Sequence, residues 1–259
     1  MKYAFLSTLF LSLLLFTGCK SSEPATEAMA DAMPEPSMEE TLITEHISAR
    51  GGMETLSGIT SVKTTGEVLM PAMDMTMLMT NFQKAPGKLR LEVDVPQMGA
   101  KIVNGYNGET AWESNPMAGG AAKLGGDRAR AFREQADMDG YLVSTAEDGY
   151  EITYEGDEEV EGALNHKMRV MRPDSTDLFV YLNAETKLET LIEAQAPNPM
   201  TGAMTTVQTF YSDYRNVGGT PMPYRIEVMI GGEVFQTVTF SDIRVNVPMN
   251  DSIFEFPGE

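Results

Sequence analysis

The stretch Phe210-Tyr211-Ser212-Asp213-Tyr214-Arg215 runs into Asn216-Val217-Gly218-Gly219-Thr220-Pro221. Tyr224-Arg225-Ile226-Glu227-Val228-Met229-Ile230 then meets Gly231-Gly232, and Glu233-Val234-Phe235-Gln236-Thr237-Val238-Thr239-Phe240 follows at once. β-Branched and aromatic residues alternate with polar ones, and glycine pairs stand where a hairpin needs positive φ. The pattern through Phe256 predicts antiparallel strands laid side by side, with one dry face and one wet face.

Working back from that stretch, Lys88-Leu89-Arg90-Leu91-Glu92-Val93-Asp94-Val95 alternates strictly. Side chains repeat with period two, so Leu89, Leu91, Val93 and Val95 share a face. Lys101 to Tyr106 is expected to pair with Glu109 to Glu113 across Asn107-Gly108, a type I′ turn signal. The second of those strands carries Trp112, the chain's one tryptophan. Ser61 to Met70 and Met73 to Phe82 read as paired strands around Pro71-Ala72. Further strands are expected at 150–154, 165–171, 178–182, 188–194 and 205–214. The acidic run Asp157-Glu158-Glu159 reads as a charged turn, and Asn115 to Gly126 as a loop. About ten or eleven strands and two main helices, with no long break, imply a single domain over 37–259. It is mainly β (α+β): a large curved antiparallel sheet whose concave face is covered by helices.

Ser37-Met38-Glu39-Glu40 fits a capping box, with the helix stopped at Gly51-Gly52. His46 on that helix reads as a solvated or capping residue, and His166 stands on a strand without a companion histidine. Asp127 to Asp137 reads as a second helix. Its Arg128, Arg130 and Arg133 are expected on a solvated face paired with Glu134 and Asp137.

The amino terminus is read separately. A short basic start precedes the apolar run Ala4 to Phe16, about 13 residues, which suits a signal-peptide core better than a membrane span. Phe16-Thr17-Gly18-Cys19 follows, and Cys19 is the only cysteine of the 259 residues. The segment resembles the lipobox of bacterial lipoproteins. That resemblance implies a signal peptide over 1–18, a lipidated Cys19 bearing two or three acyl chains, and a membrane anchor. Lys20 rather than Asp after the cysteine favours the outer membrane, facing the periplasm, by the same resemblance. Residues 19–36, rich in Ser, Glu, Pro and Ala, form an expected disordered tether. About 16 flexible residues of it would reach ~20–25 Å on average.

A formal net charge of −19 argues against nucleic-acid binding. One cysteine excludes an internal disulfide. The 20 methionines concentrate at Met70, Met73, Met75, Met77 and Met79, of which the last four alternate. Thioethers could bind Cu(I), but same-face neighbours on a strand lie ~6.5–7 Å apart along it, and no Cys or nearby His assists. The alternatives are a methionine-filled core and an adaptable apolar wall. Two histidines without a shared motif, and no Gly-x-Ser-x-Gly, leave little to build an enzyme on, and a carboxylate pair among the 38 acidic residues is the catalytic alternative.

The helix ending in Gly51-Gly52, the segment Phe82-Gln83-Lys84-Ala85-Pro86-Gly87-Lys88-Leu89-Arg90, and Tyr106-Asn107-Gly108-Glu109-Thr110-Ala111-Trp112 together resemble the LolA/LolB-like lipoprotein-sorting family, which also includes the RseB N-terminal domain. Tyr211-Ser212-Asp213-Tyr214-Arg215, Pro221-Met222-Pro223-Tyr224-Arg225-Ile226 and the Ile253-Phe254-Glu255-Phe256-Pro257 finish extend the resemblance. It implies an eleven-stranded half-barrel with a helical lid and a cavity for acyl chains. The expectation is a non-enzymatic, monomeric carrier or receptor that binds acyl chains or lipoproteins, without cofactor or metal. Its apolar wall would be Met73, Met75, Met77, Met79, Leu89, Leu91, Val93 and Trp112. The alternative is an envelope scaffold or sensor with a filled cavity and a protein partner.

Overall fold

The computed structural model describes residues 35–143, 149–198 and 200–257. The expected signal peptide, Cys19 and almost all of the expected tether lie outside the described residues. The strands are β1 (Ser61–Met70), β2 (Met75–Lys84), β3 (Lys88–Val95), β4 (Ala100–Tyr106), β5 (Ala111–Asn115), β6 (Gly120–Lys123), β7 (Glu151–Val160), β8 (Ala163–Met171), β9 (Asp177–Asn183), β10 (Glu189–Pro197), β11 (Met204–Val217), β12 (Thr220–Ile230) and β13 (Glu233–Val245). They form one 13-stranded sheet in the order β6-β5-β4-β3-β2-β1-β13-β12-β11-β10-β9-β8-β7. The sheet is antiparallel, curved and open. The carboxy-terminal strand closes back on β1, which puts both halves of the chain into one sheet.

Two strands exceed the expected number of eleven. The segment 115–126 is not all loop, because Gly120–Lys123 pairs with β5. The acidic run is not a turn, because Asp157, Glu158 and Glu159 lie within β7 and pair with β8. Edge position makes this tolerable: a strand bonded on one side can keep its carboxylates in water.

Three helices lie on the concave face. In α1 (Met38–Ala49) the capping box is complete, with Ser37 N–H donating to Glu40 Oε2 at 2.9 Å and Glu40 N–H to Ser37 Oγ at 3.2 Å. Its Leu42 packs into a fully dry cluster with Leu142, Met168 and Val170 of β8, and Leu178, Val180 and Leu182 of β9. His46 is not solvated. It is 1 % exposed, with Nδ1 at 2.8 Å from the Lys187 carbonyl oxygen. One turn after Leu42, the α1 stripe that faces the sheet carries it inward. α2 (Gly52–Ser57) follows through Gly51, whose φ is +100° and whose absent Cβ would sit 2.5 Å from the Gly219 carbonyl oxygen. That close approach explains a glycine at this position. α3 (Gly126–Ala136) lays Ala129, Phe132 and Ala136 over Leu89, Tyr106 and Ala111.

The convex face is sealed at one flank by the carboxy terminus. A short 3₁₀ turn at Asp251–Phe254 lies against β3, and Lys84 and Lys88 both reach Asp251, at 2.6 and 2.7 Å. Trp112 donates to the Phe254 carbonyl oxygen at 2.8 Å and meets the Phe256 ring edge-on. A Cβ on Gly105 would stand 2.2 Å from the indole, so the glycine makes room for the ring.

Candidate functional site

Cross-strand register sets which side chains share the concave face. Leu89 pairs with Tyr106 and Tyr106 with Ala111, and Met79 pairs with Val93. On the other side of β2, Met75, Met77 and Met79 stand opposite Met70, Val68 and Gly66. In β11–β13 the same face carries Val207, Thr209, Tyr211, Ile226, Val228 and Val238.

The helices do not cover all of this face. Between α3 and β10–β11 lies a cavity of about 920 Å³, whose apolar floor includes Ile192, Val207 and Tyr211. A second, of about 430 Å³, lies between Met138, just past α3, and strands β1, β2, β12 and β13. Its walls include Met79, Met222, Ile226, Val228 and Phe240. Gln135, Asp137, Thr209 and Tyr211 line both, so the two adjoin and together make up the hollow of the concave face. The larger volume lies within the ~300–1,000 Å³ of typical small-molecule sites, and its apolar floor faces walls that carry charged and amide side chains of α3 and of the turn after β8.

The polar groups gather at one mouth of the hollow. Arg130 pairs with Asp174, with Asp127 at 3.2 Å and with Glu134 at 3.9 Å. Glu134 accepts from the Tyr141 hydroxyl at 3.1 Å. Arg172 reaches Glu134 only at 3.9 Å, and its buried Nε has no hydrogen-bond partner. Arg128 leaves this group and pairs with Glu113 at 2.9 Å instead. Burial first, then the negative charge of Glu134, pushes the Tyr141 phenol up, and burial with Glu189 does the same for Tyr211. Both phenols are therefore neutral hydrogen-bonding groups across the ordinary pH range.

The expected wall residues divide into four groups. Met79 lines the hollow. Met75, Met77, Leu91 and Val93 share its face, half-buried, nearer the hairpin tips or beneath the neighbouring strands. Leu89 is fully buried beneath α3 and belongs to the core. Met73 and Trp112 are misplaced by the sequence reading. Met73 ends a 3₁₀ turn, Pro71–Met73, closed by Asp74 in the left-handed region, so β2 starts two residues later and Met73 is 44 % exposed. Trp112 pairs with Gly105 on the convex face, because its neighbour Ala111 takes the concave position opposite Tyr106. The Asn107-Gly108 turn is also longer than expected. Asn107 Oδ1 accepts from Glu109 N–H and Thr110 N–H, making a four-residue loop before β5.

The hollow's principal lining residues, Ile192, Val207, Tyr211, Met222, Ile226, Val228 and Phe240, were not singled out as a site. Alternation in the Phe210–Phe256 stretch placed them on strands. Nothing in it marked the part of the face that the helices leave bare.

One polar row lies apart from the hollow. Tyr154 donates to Asp157 at 2.8 Å, His166 Nδ1 stands 2.6 Å from Asp157, and His166 Nε2 stands 2.9 Å from Lys187 Nζ. Lys187 continues to Glu45 of α1 at 3.1 Å. Both imidazole nitrogens are occupied by these partners, and the row fastens α1 to the sheet. No group of three or more His, Cys, Asp or Glu that could hold a metal ion occurs among the described residues.

No protein-family model matches the chain, and a search of curated protein sequences finds no match. Solved structures do match in fold. A DUF1329 family protein from Desulfovibrio piger superposes with a TM-score of 0.58 at 14% identity, over 83% of this chain and 96% of that one. A putative outer membrane lipoprotein-sorting protein domain from Vibrio parahaemolyticus gives 0.57 at 15% identity, over 83% and 95%. A LolA superfamily protein from Nitrosomonas europaea gives 0.55 at 16% identity, over 83% and 96%. The fold is that of the LolA-like proteins.

Proposed function

We propose that this protein is a lipid-anchored envelope lipoprotein that takes acyl chains, of a lipid or of another lipoprotein, into the hollow on its concave face. The observation that carries the reading is the bare, apolar stretch of sheet between α3 and strands β10–β13, β1 and β2, framed by Ile192, Val228 and Met79. The solved LolA-like folds, one of them described as lipoprotein-sorting, support a carrier or receptor role. Lipidation of Cys19 by the lipobox route would hold the domain at a membrane, most simply the outer membrane on its periplasmic side.

The mechanism is transfer by differential burial. A chain of ~14 methylenes gains ~11 kcal/mol when taken out of water, and a bilayer offers a similar amount. Transfer then needs only a small difference between donor and acceptor. The arginines at the mouth lie where a polar headgroup would remain near water while the chain lies on Val207, Ile226 and Val228. No bond is made or broken, so the reading is non-enzymatic.

The test uses the chain from Glu23 onward, secreted into a bacterial periplasm and purified without detergent. Its organic extract is examined by mass spectrometry, and uptake of a fluorescent fatty acid is titrated. A stoichiometric lipid, or saturable uptake lost in Ile226→Asp, is expected. A clean extract with no uptake sinks the proposal and moves the role to an envelope scaffold with a protein partner.

A further inference from the structure

We propose that one end of the sheet, tipped with methionines, is a docking surface for a zwitterionic lipid bilayer. Because every neighbouring pair of strands is antiparallel, the turns fall alternately at two ends. One end collects the turns at 71–74, 96–99, 116–119, 172–176 and 231–232, and the described residues 198 and 200–203 between β10 and β11. Four of these six carry an exposed methionine: Met73 at 44 %, Met98 at 56 %, Met117 at 53 % and Met200 at 68 %. Met73, Met98 and Met117 tip three neighbouring hairpins, and Met200 lies further along the same end, beyond the 231–232 turn.

Three of the tips are built alike. Pro71–Met73, Pro96–Met98 and Pro116–Ala118 are single 3₁₀ turns with proline at the start, each closed by a left-handed residue, Asp74, Gly99 or Gly119. Proline fixes φ for such a turn. In the fourth, Asn198 Oδ1 accepts from Met200 N–H and Thr201 N–H. An exposed methionine on a fixed turn has no packing role of its own, and a patch of them marks a contact surface. The turns at the other end, 85–87, 107–110, 161–162, 184–188 and 218–219, hold no methionine but three glutamates, Glu109, Glu161 and Glu185.

Charge and shape select the occupant. Asp74 is the one ionised side chain in the four methionine tips, on a chain with 38 acidic residues. Methionine tips with a single carboxylate among them, on so acidic a protein, fit an uncharged surface and not an anionic one. Neighbouring hairpin tips stand two strand spacings apart, ~10 Å. A row of separate points would need a matching row of pockets on a protein, whereas a headgroup layer admits each point wherever it falls. Methionine is flexible enough to settle there. Pro173 and Asp174, of the turn between β8 and β9 at the same end, line the larger cavity, so docking sets that wall of the cavity towards the bilayer. The inference stands without any assignment of cargo to the hollow.

The native methionines are the probe. The full chain is treated with dilute hydrogen peroxide, which converts exposed thioethers to sulfoxides with release of water, with and without phosphatidylcholine vesicles. Sulfoxide at each site is read by peptide mass spectrometry. Oxidation of Met73, Met98, Met117 and Met200 is expected to slow at least fivefold with vesicles. Met53, 53 % exposed at the start of α2, is expected to oxidise unchanged. In the double variant Met98→Glu, Met117→Glu, both changes being at exposed tips, Met73 and Met200 are expected to lose their protection. Equal oxidation of tip and control methionines overturns the proposal. So does protection that survives the double variant, which would trace to tethering by the amino-terminal segment. Protection that rises with protein concentration in the absence of lipid also overturns it, in favour of contact with a second copy.

Discussion

One rung of the sheet passes through two different environments. Val228, Thr209, Ile192, Val180, Met168 and Tyr154 are successive cross-strand partners on the concave face, from β12 to β7. Val180 and Met168 are 0 % exposed beneath α1. Val228 and Ile192, on the same rung, are only half-buried and line the hollow. The strand residues are of one kind throughout. The difference lies in the cover, since Leu42 and His46 of α1 reach one part of the face and no helix of comparable fit reaches the other. Alternation decides which face is apolar; a helix from elsewhere in the chain decides whether that face becomes core or cavity.

Substitutions along the rung can break this comparison. Met168→Ala should cost about 3 kcal/mol, within the ~2–5 kcal/mol seen when a large buried side chain is cut to alanine. A shift in urea midpoint measures it, and a loss below ~1 kcal/mol would mean that the cluster under α1 is as slack as the hollow. Ile226→Asp should do the reverse. Its side chain faces open volume, so stability should change by no more than ~1 kcal/mol, as for sites that keep access to water. Fatty-acid uptake should fall at least tenfold, and a stability loss equal to that of Met168→Ala would make Ile226 a core residue.

A pH series sharpens the contrast, since His46 belongs to α1, which covers only one of the two regions. Burial, the largest influence, lowers the pKa of its imidazole, against the smaller opposing pulls of Glu189 and the Lys187 carbonyl. The unfolded chain takes up that proton near pH ~6.5, and the folded one only at lower pH. The stability contributed by neutral His46 is therefore complete above that value and is lost as pH falls through the lowered folded pKa. Unfolding midpoints at pH 7.5 and 5.5 should differ in the wild type and differ less in His46→Gln. An identical slope in the two proteins would show that another group carries the acid sensitivity. The smallest expected effect is that of Met79→Leu, a volume-conserving change costing under ~1.5 kcal/mol. It should leave uptake within about twofold, and a larger loss would assign Met79 a contact that leucine cannot make.

Much of this was legible in the residues and some was not. The shared face of Met75, Met77 and Met79, and of Leu89, Leu91 and Val93, follows from period two alone, and the register agrees. Met73 broke the series because Pro71 and Asp74 turn the chain into a 3₁₀ hairpin tip, and a two-residue turn had been assumed. Trp112 was set on the wall beside the concave residues. The counter-sign was Gly105, a strand glycine that makes room for a large ring across the ladder. His46 looked polar and peripheral, yet its spacing of four from Leu42 already put it on the buried stripe. The hollow itself was beyond reach, since Ile192 and Val180 are alike in sequence and differ only in what lies above them.

An open sheet has another consequence, at its ends. β6 and β7 are the edges of the described sheet, and each has a side of backbone N–H and C=O groups that a foreign strand could zip onto. β7 carries Glu151, Glu155, Asp157, Glu158 and Glu159, and β6 is only Gly120-Ala121-Ala122-Lys123. A second acidic edge brought alongside β7 would be repelled, and four residues give a template too short to hold one. Between copies of the chain, both features oppose pairing edge to edge. Part of the chain's excess negative charge thus has a local task, guarding the rim of an unclosed sheet.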